Sequence, residues 1–307
     1  MRDVTSHEVD GERIERALEG IRSRTFGHWH DLRHGGGVSL SGLAKARDEL
    51  LDHVGACSVA GPGPDGPDPR QALLTAAECA IGALGLGCFP EGDWDVRFLP
   101  LVDETLSSDE QLFDESWDAG HEVPTARTWT ETFALCLLGG ALWTPRRVVG
   151  PLLHADYAPA IRSGVPYSRF DSVSRPAELA EMDALCAYLS ADQSWERPVP
   201  LRLPDAEERG ALARALDEAG ELDPDQRLLR VLLDADRDAF DGALADRLDA
   251  YRASAEAAGD QAPGSLLPVR TAALAALARQ THGWAPGVRS AYLPDALLVE
   301  PERETVG

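Results

Sequence analysis

Apolar residues recur along most of this chain at three- and four-residue spacing, the period of an amphipathic helix. Ile14, Leu18, Ile21, Trp29 and Leu32 make one such stripe and predict a first helix over 8–33, stopped by His34-Gly35-Gly36-Gly37. Leu40, Leu43, Leu50, Leu51 and Val54 make the next, led by Ser39, and the two helices are expected to pair as a hairpin. The loop 61–69 is rich in glycine and proline, and Asp68-Pro69 then opens a third helix through Leu73, Leu74, Ala77, Ile81 and Leu84. Its Gly82, Gly85 and Gly87 allow close approach of a neighbour.

The least charged long run spans 125–153 and predicts a pair of core helices. Thr125 caps the first, which carries Trp129, Phe133, Cys136, Leu137 and Gly140. Thr144-Pro145 starts the second, because proline at a first helical position gives up only an N–H that lacks a partner anyway. Val148, Val149, Leu152 and Leu153 then point inward. Prolines and polar turns follow over 154–173. Ser174, Asp205, Asp223 and Leu266 mark later helix starts. No segment alternates apolar and polar residues between hairpin turns. The expected fold is all-α, with helical hairpins stacked around the pair at 125–153 and little or no sheet. Residues 1–299 form one domain, with a candidate subdomain boundary in the proline-rich 195–204 and a loose tail over 300–307.

One stretch breaks the helical pattern. Between Glu91 and Glu122 there are eleven acidic residues against a single arginine, Arg97, interleaved with Trp94, Phe98, Phe113 and Trp117. Irregular stretches of this length in a compact domain usually serve a function. Two readings stand. As a partner-facing surface, Asp93, Trp94, Asp95, Asp103, Glu104, Asp109, Glu110, Asp114, Glu115, Trp117 and Asp118 would combine aromatic anchors with steering carboxylates. As part of the fold, the aromatics would staple the loop to its own core while the carboxylates stay solvated.

The whole chain is acidic, with 52 Asp and Glu against 29 Lys and Arg and a formal net charge of -23. Such a surface repels nucleic acid and anionic lipid and suits a basic partner. Lys45 is the one lysine and asparagine is absent, the composition of a GC-rich genome such as that of an actinobacterium. Cys57, Cys79, Cys88, Cys136 and Cys186 are odd in number and form no C-x-x-C pair, so buried free thiols in a reducing compartment are expected. Residues 1–13 carry no apolar core of a signal peptide, and no run reaches the roughly 18 apolar residues of a membrane span. The expected location is the cytoplasm.

No catalytic, cofactor or metal set stands out. His28-x-His30 puts its rings on opposite sides of a helix, with no further ligand at a usual spacing. Asp234-x-Asp236-x-Asp238 begins like a calcium loop, but Ala239 and Ala245 stand where glycine and glutamate are required. It reads as a charged turn. Gly37-Val38-Ser39-Leu40-Ser41-Gly42 has its second glycine one residue late for a nucleophile elbow. Cys136 lies among leucines, where a thiol is inert.

Several phrases together carry a resemblance: CFPEGDWDVRF (88–98), DETLSSDE (103–110), PTARTWTETFALC (124–136), DYAPAIRSGVPYSR (156–169), MDALCAYL (182–189), DPDQRLLRVLLD (223–234) and HGWAPGVRSAYLPDALL (282–298). The set resembles the streptomycete immunity proteins of polymorphic toxin systems, immunity family 49, over nearly the whole chain. The resemblance implies a helical cytoplasmic protein that binds a cognate toxin domain and blocks it without catalysis or cofactor. A basic, nuclease-type toxin would suit the charge. The alternatives are an enzyme with an unrecognised all-helical active site and a helical scaffold or regulatory protein.

Self-repulsion among the carboxylates has a direct consequence. The melting temperature should rise as ionic strength goes from about 0.01 M to about 0.3 M; a fall would mean that ion pairs outweigh the net charge.

Overall fold

The computed structural model describes residues 1–61, 67–99, 101–114, 123–145, 147–191, 199–259 and 261–301. Its helices are α1 Gly11–Leu18, α2 Ile21–His34, α3 Leu40–Ala60, α4 Pro69–Cys88, α5 Ala126–Gly139, α6 Val149–Pro151, α7 Ala158–Arg162, α8 Pro176–Tyr188, α9 Ala206–Glu218, α10 Pro224–Leu233, α11 Arg237–Ala258, α12 Val269–His282 and α13 Asp295–Leu298. Two small sheets accompany them: β1 Arg2–Asp3 runs parallel to β4 Val288–Arg289, and β2 Asp95–Arg97 runs antiparallel to β3 Thr105–Ser107. The fold is all-α.

Helix α5 is its axis. Eleven of its fourteen residues are buried, on every side of the helix. Thr125 caps it, its hydroxyl accepting from the Thr128 N–H while Thr128 answers toward the Thr125 N–H. Trp129 and Phe133 stack at 5.6 Å with nearly parallel planes. Helices α4, α8 and α12 pack around α5, and α3 covers α4. Close approach needs small residues. A Cβ on Gly139 of α5 would lie 2.9 Å from the Leu73 carbonyl of α4, and one on Gly55 of α3 would overlap the Pro263 carbonyl. One hydrophobic cluster runs from Ile21 through Leu138, Tyr188 and Leu229 to Leu298. Burying each large side chain of that kind contributes roughly 1.5–3 kcal/mol.

The caps at Ser39, Asp68, Thr125, Asp205 and Asp223 stand where expected, and Asp236 caps α11 within the charged turn. Several boundaries differ from the sequence reading. The first helix is two, broken at Gly20 (φ 58°), with Arg24 folding back to donate to the carbonyls of Arg16, Ala17 and Glu19. Thr144-Pro145 starts no helix. A tight turn at Ala141–Trp143 comes first, and the helix begins at Val149. It then continues through Arg162, where turns were expected, by way of a wider π-type segment at Leu152–Tyr157. The indole of Trp129 donates to the Leu153 carbonyl in that segment at 2.9 Å. Ser174 caps a different helix from the one it precedes: its hydroxyl accepts from the Ala126 N–H of α5 at 2.9 Å. Leu266 ends a short turn, and α12 begins at Val269.

Residues 195–198 of the expected boundary and 302–307 of the expected tail lie outside the described residues. Leu201 pairs with Leu189 across the candidate boundary, and Leu201 packs against the same hydrophobic cluster as the elements on both sides. The apolar run in α4 also exceeds the sequence expectation. Within its 20 residues an 18-residue stretch of mean hydropathy 1.4 is long and apolar enough to cross a membrane, though 78% of that stretch is buried inside this fold.

The N-terminal segment is tied to the far end of the chain. The His7 N–H donates to the Tyr292 hydroxyl at 2.9 Å, and His7 Nδ1 lies 2.6 Å from the same oxygen. Ser265 donates to the Ala262 carbonyl, so it accepts from His7 Nε2–H at 2.9 Å. His7 Nε2 therefore carries a hydrogen, and burial pushes the His7 pKa down, favouring the neutral ring.

His282 gives the clearest pH effect. Burial first, and the Arg209 charge second, push its pKa down to about 4. Between that value and the unfolded value of about 6.5, the unfolded chain binds the extra proton. Stability is therefore lost as pH falls through this window. Allowing for partial exposure, the loss is about 1–2 kcal/mol. Denaturant titrations at pH 7 and pH 4.5 should show His282→Gln with a shallower pH dependence than wild type; equal slopes would refute the assignment.

Candidate functional site

Part of the acidic stretch folds into a hairpin where the sequence showed only irregularity. Asp95–Arg97 and Thr105–Ser107 pair as a hairpin with Val96 opposite Leu106. The strands are only three residues long, yet Val96 and Phe98 alternate with Asp95 and Arg97, and this is the signal that could have revealed them. Val96, Phe98 and Leu106 insert into a smaller core made by Trp29, Leu32, Leu43 and Cys79. Trp94 and Phe113 pack partly buried against it. Gly82 of α4 is what admits the hairpin, because a Cβ there would overlap Val96.

A buried ion pair locks the hairpin down. Arg147 reaches under it to Glu78 of α4 at 2.5 Å and to Asp95 of β2 at 2.7 Å. Burial pushes the Glu78 carboxyl above its usual range, with Arg147 opposing. Burial also raises Asp95, but the charges and hydrogen bonds of Arg147 and Arg97 outweigh it and hold Asp95 low. Glu78, alone among apolar residues in α4, is the sequence signal for a missing partner. Arg147 itself carried none.

The other sequence-predicted residues separate. Asp93, Asp103 and Asp109 are exposed, and Glu104 is half-buried at the hairpin turn. Glu110 is exposed and pairs with Arg33 of α2 at 2.7 Å. Asp114 faces Arg169 at 3.9 Å. Glu115, Trp117 and Asp118 lie outside the described residues. Asp95 alone of the described set is committed to a buried pair.

A second charged cluster holds the C-terminal helices to α5. Arg270 bridges Glu181 (2.5 Å) and Asp223 (2.8 Å), Arg127 also meets Asp223 (3.1 Å), and Arg247 with Thr271 takes Asp225. Burial pushes Glu181 up, and hydrogen bonds from Arg270 and the Gln226 backbone hold Asp223 down against its own burial. Each carboxylate is matched by an arginine, an arrangement that clamps helices together. Among the described residues no group of three or more His, Cys, Asp or Glu could hold a metal. His28 pairs with Glu49, while His30 and His34 lie 4.8 Å apart, ring to ring, elsewhere on α2. All five cysteines are buried and free. Burial pushes the thiols of Cys79, Cys88 and Cys186 up to about 12, far from a nucleophile's range.

These features define an all-helical scaffold that carries an acidic hairpin on its surface. The sequence model of a family described as immunity protein 49 matches residues 64–297, most of the chain. The chain belongs to that family, whose members are immunity proteins of toxin systems. No curated protein and no solved structure matches it.

Replacing Arg147 by Met should cost roughly 3–5 kcal/mol, since it strands a buried carboxylate, whereas adding Glu78→Gln should recover part of the loss. Equal stability of the two variants in urea titrations would mean that the pair is incidental.

Proposed function

We propose that this protein binds a cognate toxin domain and neutralises it by occupying its working surface, without catalysis and without a cofactor. It acts in the cytoplasm, and its toxin is a basic, nuclease-type protein. The observation that carries this reading is family membership over most of the chain. The net charge of -23 supports a basic partner, because complementary charge speeds encounter and excludes wrong partners.

Asp93, Asp103, Glu104, Asp109, Glu110 and Asp114 supply steering charge on one acidic surface. Their mounting supports that role: Phe98 and Leu106, fully buried, fix the backbone that bears them. A preorganised surface loses less entropy on binding than a floppy one.

Stoichiometry separates this reading from an enzymatic one. Co-expression with the toxin domain encoded beside it should restore host growth and give a co-eluting complex. Titrating purified protein into toxin should reach full inhibition at one equivalent. Complete inhibition at a small fraction of an equivalent would instead reveal an enzyme that modifies the toxin or repairs its damage.

A further inference from the structure

The loop 163–175 joins α7 to α8 and has an unusual root. Gly164 stands at φ 74°, and Val165 follows at φ 57° while only 1% exposed. A β-branched residue in the left-handed region is an outlier that costs about 1–3 kcal/mol and persists only where its surroundings force it. The consequence is outward presentation. Val165 is buried, and the next apolar side chains face solvent: Tyr167 is 66% exposed, Phe170 45% and Val173 84%.

The loop is held along its length. The Tyr167 ring meets Phe89 at a tilt of 35° with centroids 5.3 Å apart, Arg169 faces Asp114, the Ser172 hydroxyl donates to the Pro124 carbonyl at 2.6 Å, and Ser174 caps α5. Asp114 brings Leu112, 77% exposed, to the same side. The net charge around the patch is negative. Arg33, Arg169 and Arg175 are each paired with a carboxylate, while Glu91, Asp93, Asp109 and Asp171 are exposed. Exposed apolar side chains on a rigid loop inside a polar rim are the anatomy of a recognition surface.

The geometry points to this patch as the anchor for the toxin: Tyr167, Phe170, Val173 and Leu112 seat in an apolar recess of a basic protein domain, and the carboxylates around them meet its Arg and Lys. This inference rests on the immunity reading and adds the place of contact. The acidic hairpin steers, and the loop holds.

The test is a binding measurement between the full-length protein and its catalytically inactivated cognate toxin domain. Wild type should bind one to one. Tyr167→Ala with Phe170→Ala should weaken binding at least ~100-fold and abolish rescue while the fold is retained, with at most a small drop in melting temperature from the lost Tyr167–Phe89 contact. Val173→Asp is a second, single-site variant that should act the same way. Glu91→Gln, Asp93→Asn and Asp171→Asn together should slow association and flatten its salt dependence, leaving dissociation nearly unchanged. Wild-type binding with no more than about threefold loss in the aromatic variants would overturn the anchor while leaving the immunity reading intact. Failure of wild type to bind its toxin would overturn both. If the isolated protein is a dimer that these substitutions dissociate, the patch is a self-interface and the inference falls.

Discussion

A helix that buries eleven of its fourteen residues imposes its needs on everything around it. Apart from the Arg127–Glu131 pair near its start, helix α5 must be covered by other elements at packing distance. That requirement brings α4, α8 and α12 onto it and sets α3 behind α4. It also dictates where bulk is tolerated. The large side chains, Trp129 and Phe133, fill the space toward the π-type turn, and Gly139 is where the α4 backbone comes closest. The acidic surface stands on this packing, because α4 supplies both the groove for Val96 and the carboxylate that holds Arg147.

Charge does two different jobs in this molecule. In the interior, arginines bridge carboxylates from separate elements, as Arg147 and Arg270 do. Such pairs add little net stability compared with a well-packed apolar core, but breaking one is costly, so they fix which element meets which. At the surface the carboxylates outnumber the cations available to them. Among the described residues the buried charges are carboxylates, Glu78, Glu178, Glu181 and Asp225, each paired with an arginine, and the surface carries net negative charge.

The sequence disclosed what local chemistry decides. Caps at Ser39, Asp68, Thr125, Asp205 and Asp223 depend on one side chain and its own backbone, and each could be read directly. The apolar run of α5 announced a core helix because nothing else tolerates so few charges. Tertiary effects were hidden. Gly20 breaks a stripe that looked continuous because Arg24 can satisfy the carbonyls left open. Ser174 looks like the cap of the helix after it, yet serves one that begins 48 residues earlier. The hairpin escaped notice because three-residue strands barely alternate and take their stability from the pocket beneath. The candidate site was legible as an acidic, aromatic stretch, but not the division of labour inside it. Nothing in YSRFDSV tells a reader that its apolar residues face outward; that follows from the backbone turn at Val165.

The close approaches at Gly55, Gly82 and Gly139 carry a consequence for how such a protein can diverge. An immunity protein must follow its toxin through changes of surface, and its scaffold must survive them. Here the scaffold is fixed by absent side chains at a few crossings, and these make no demand on the residues that face outward. The loop 163–175 and the turn of the acidic hairpin can drift in composition, while a single added methyl at a crossing pushes two packed elements apart. Variation is free at the surface and forbidden at the crossings, so new binding specificities can arise without rebuilding the fold.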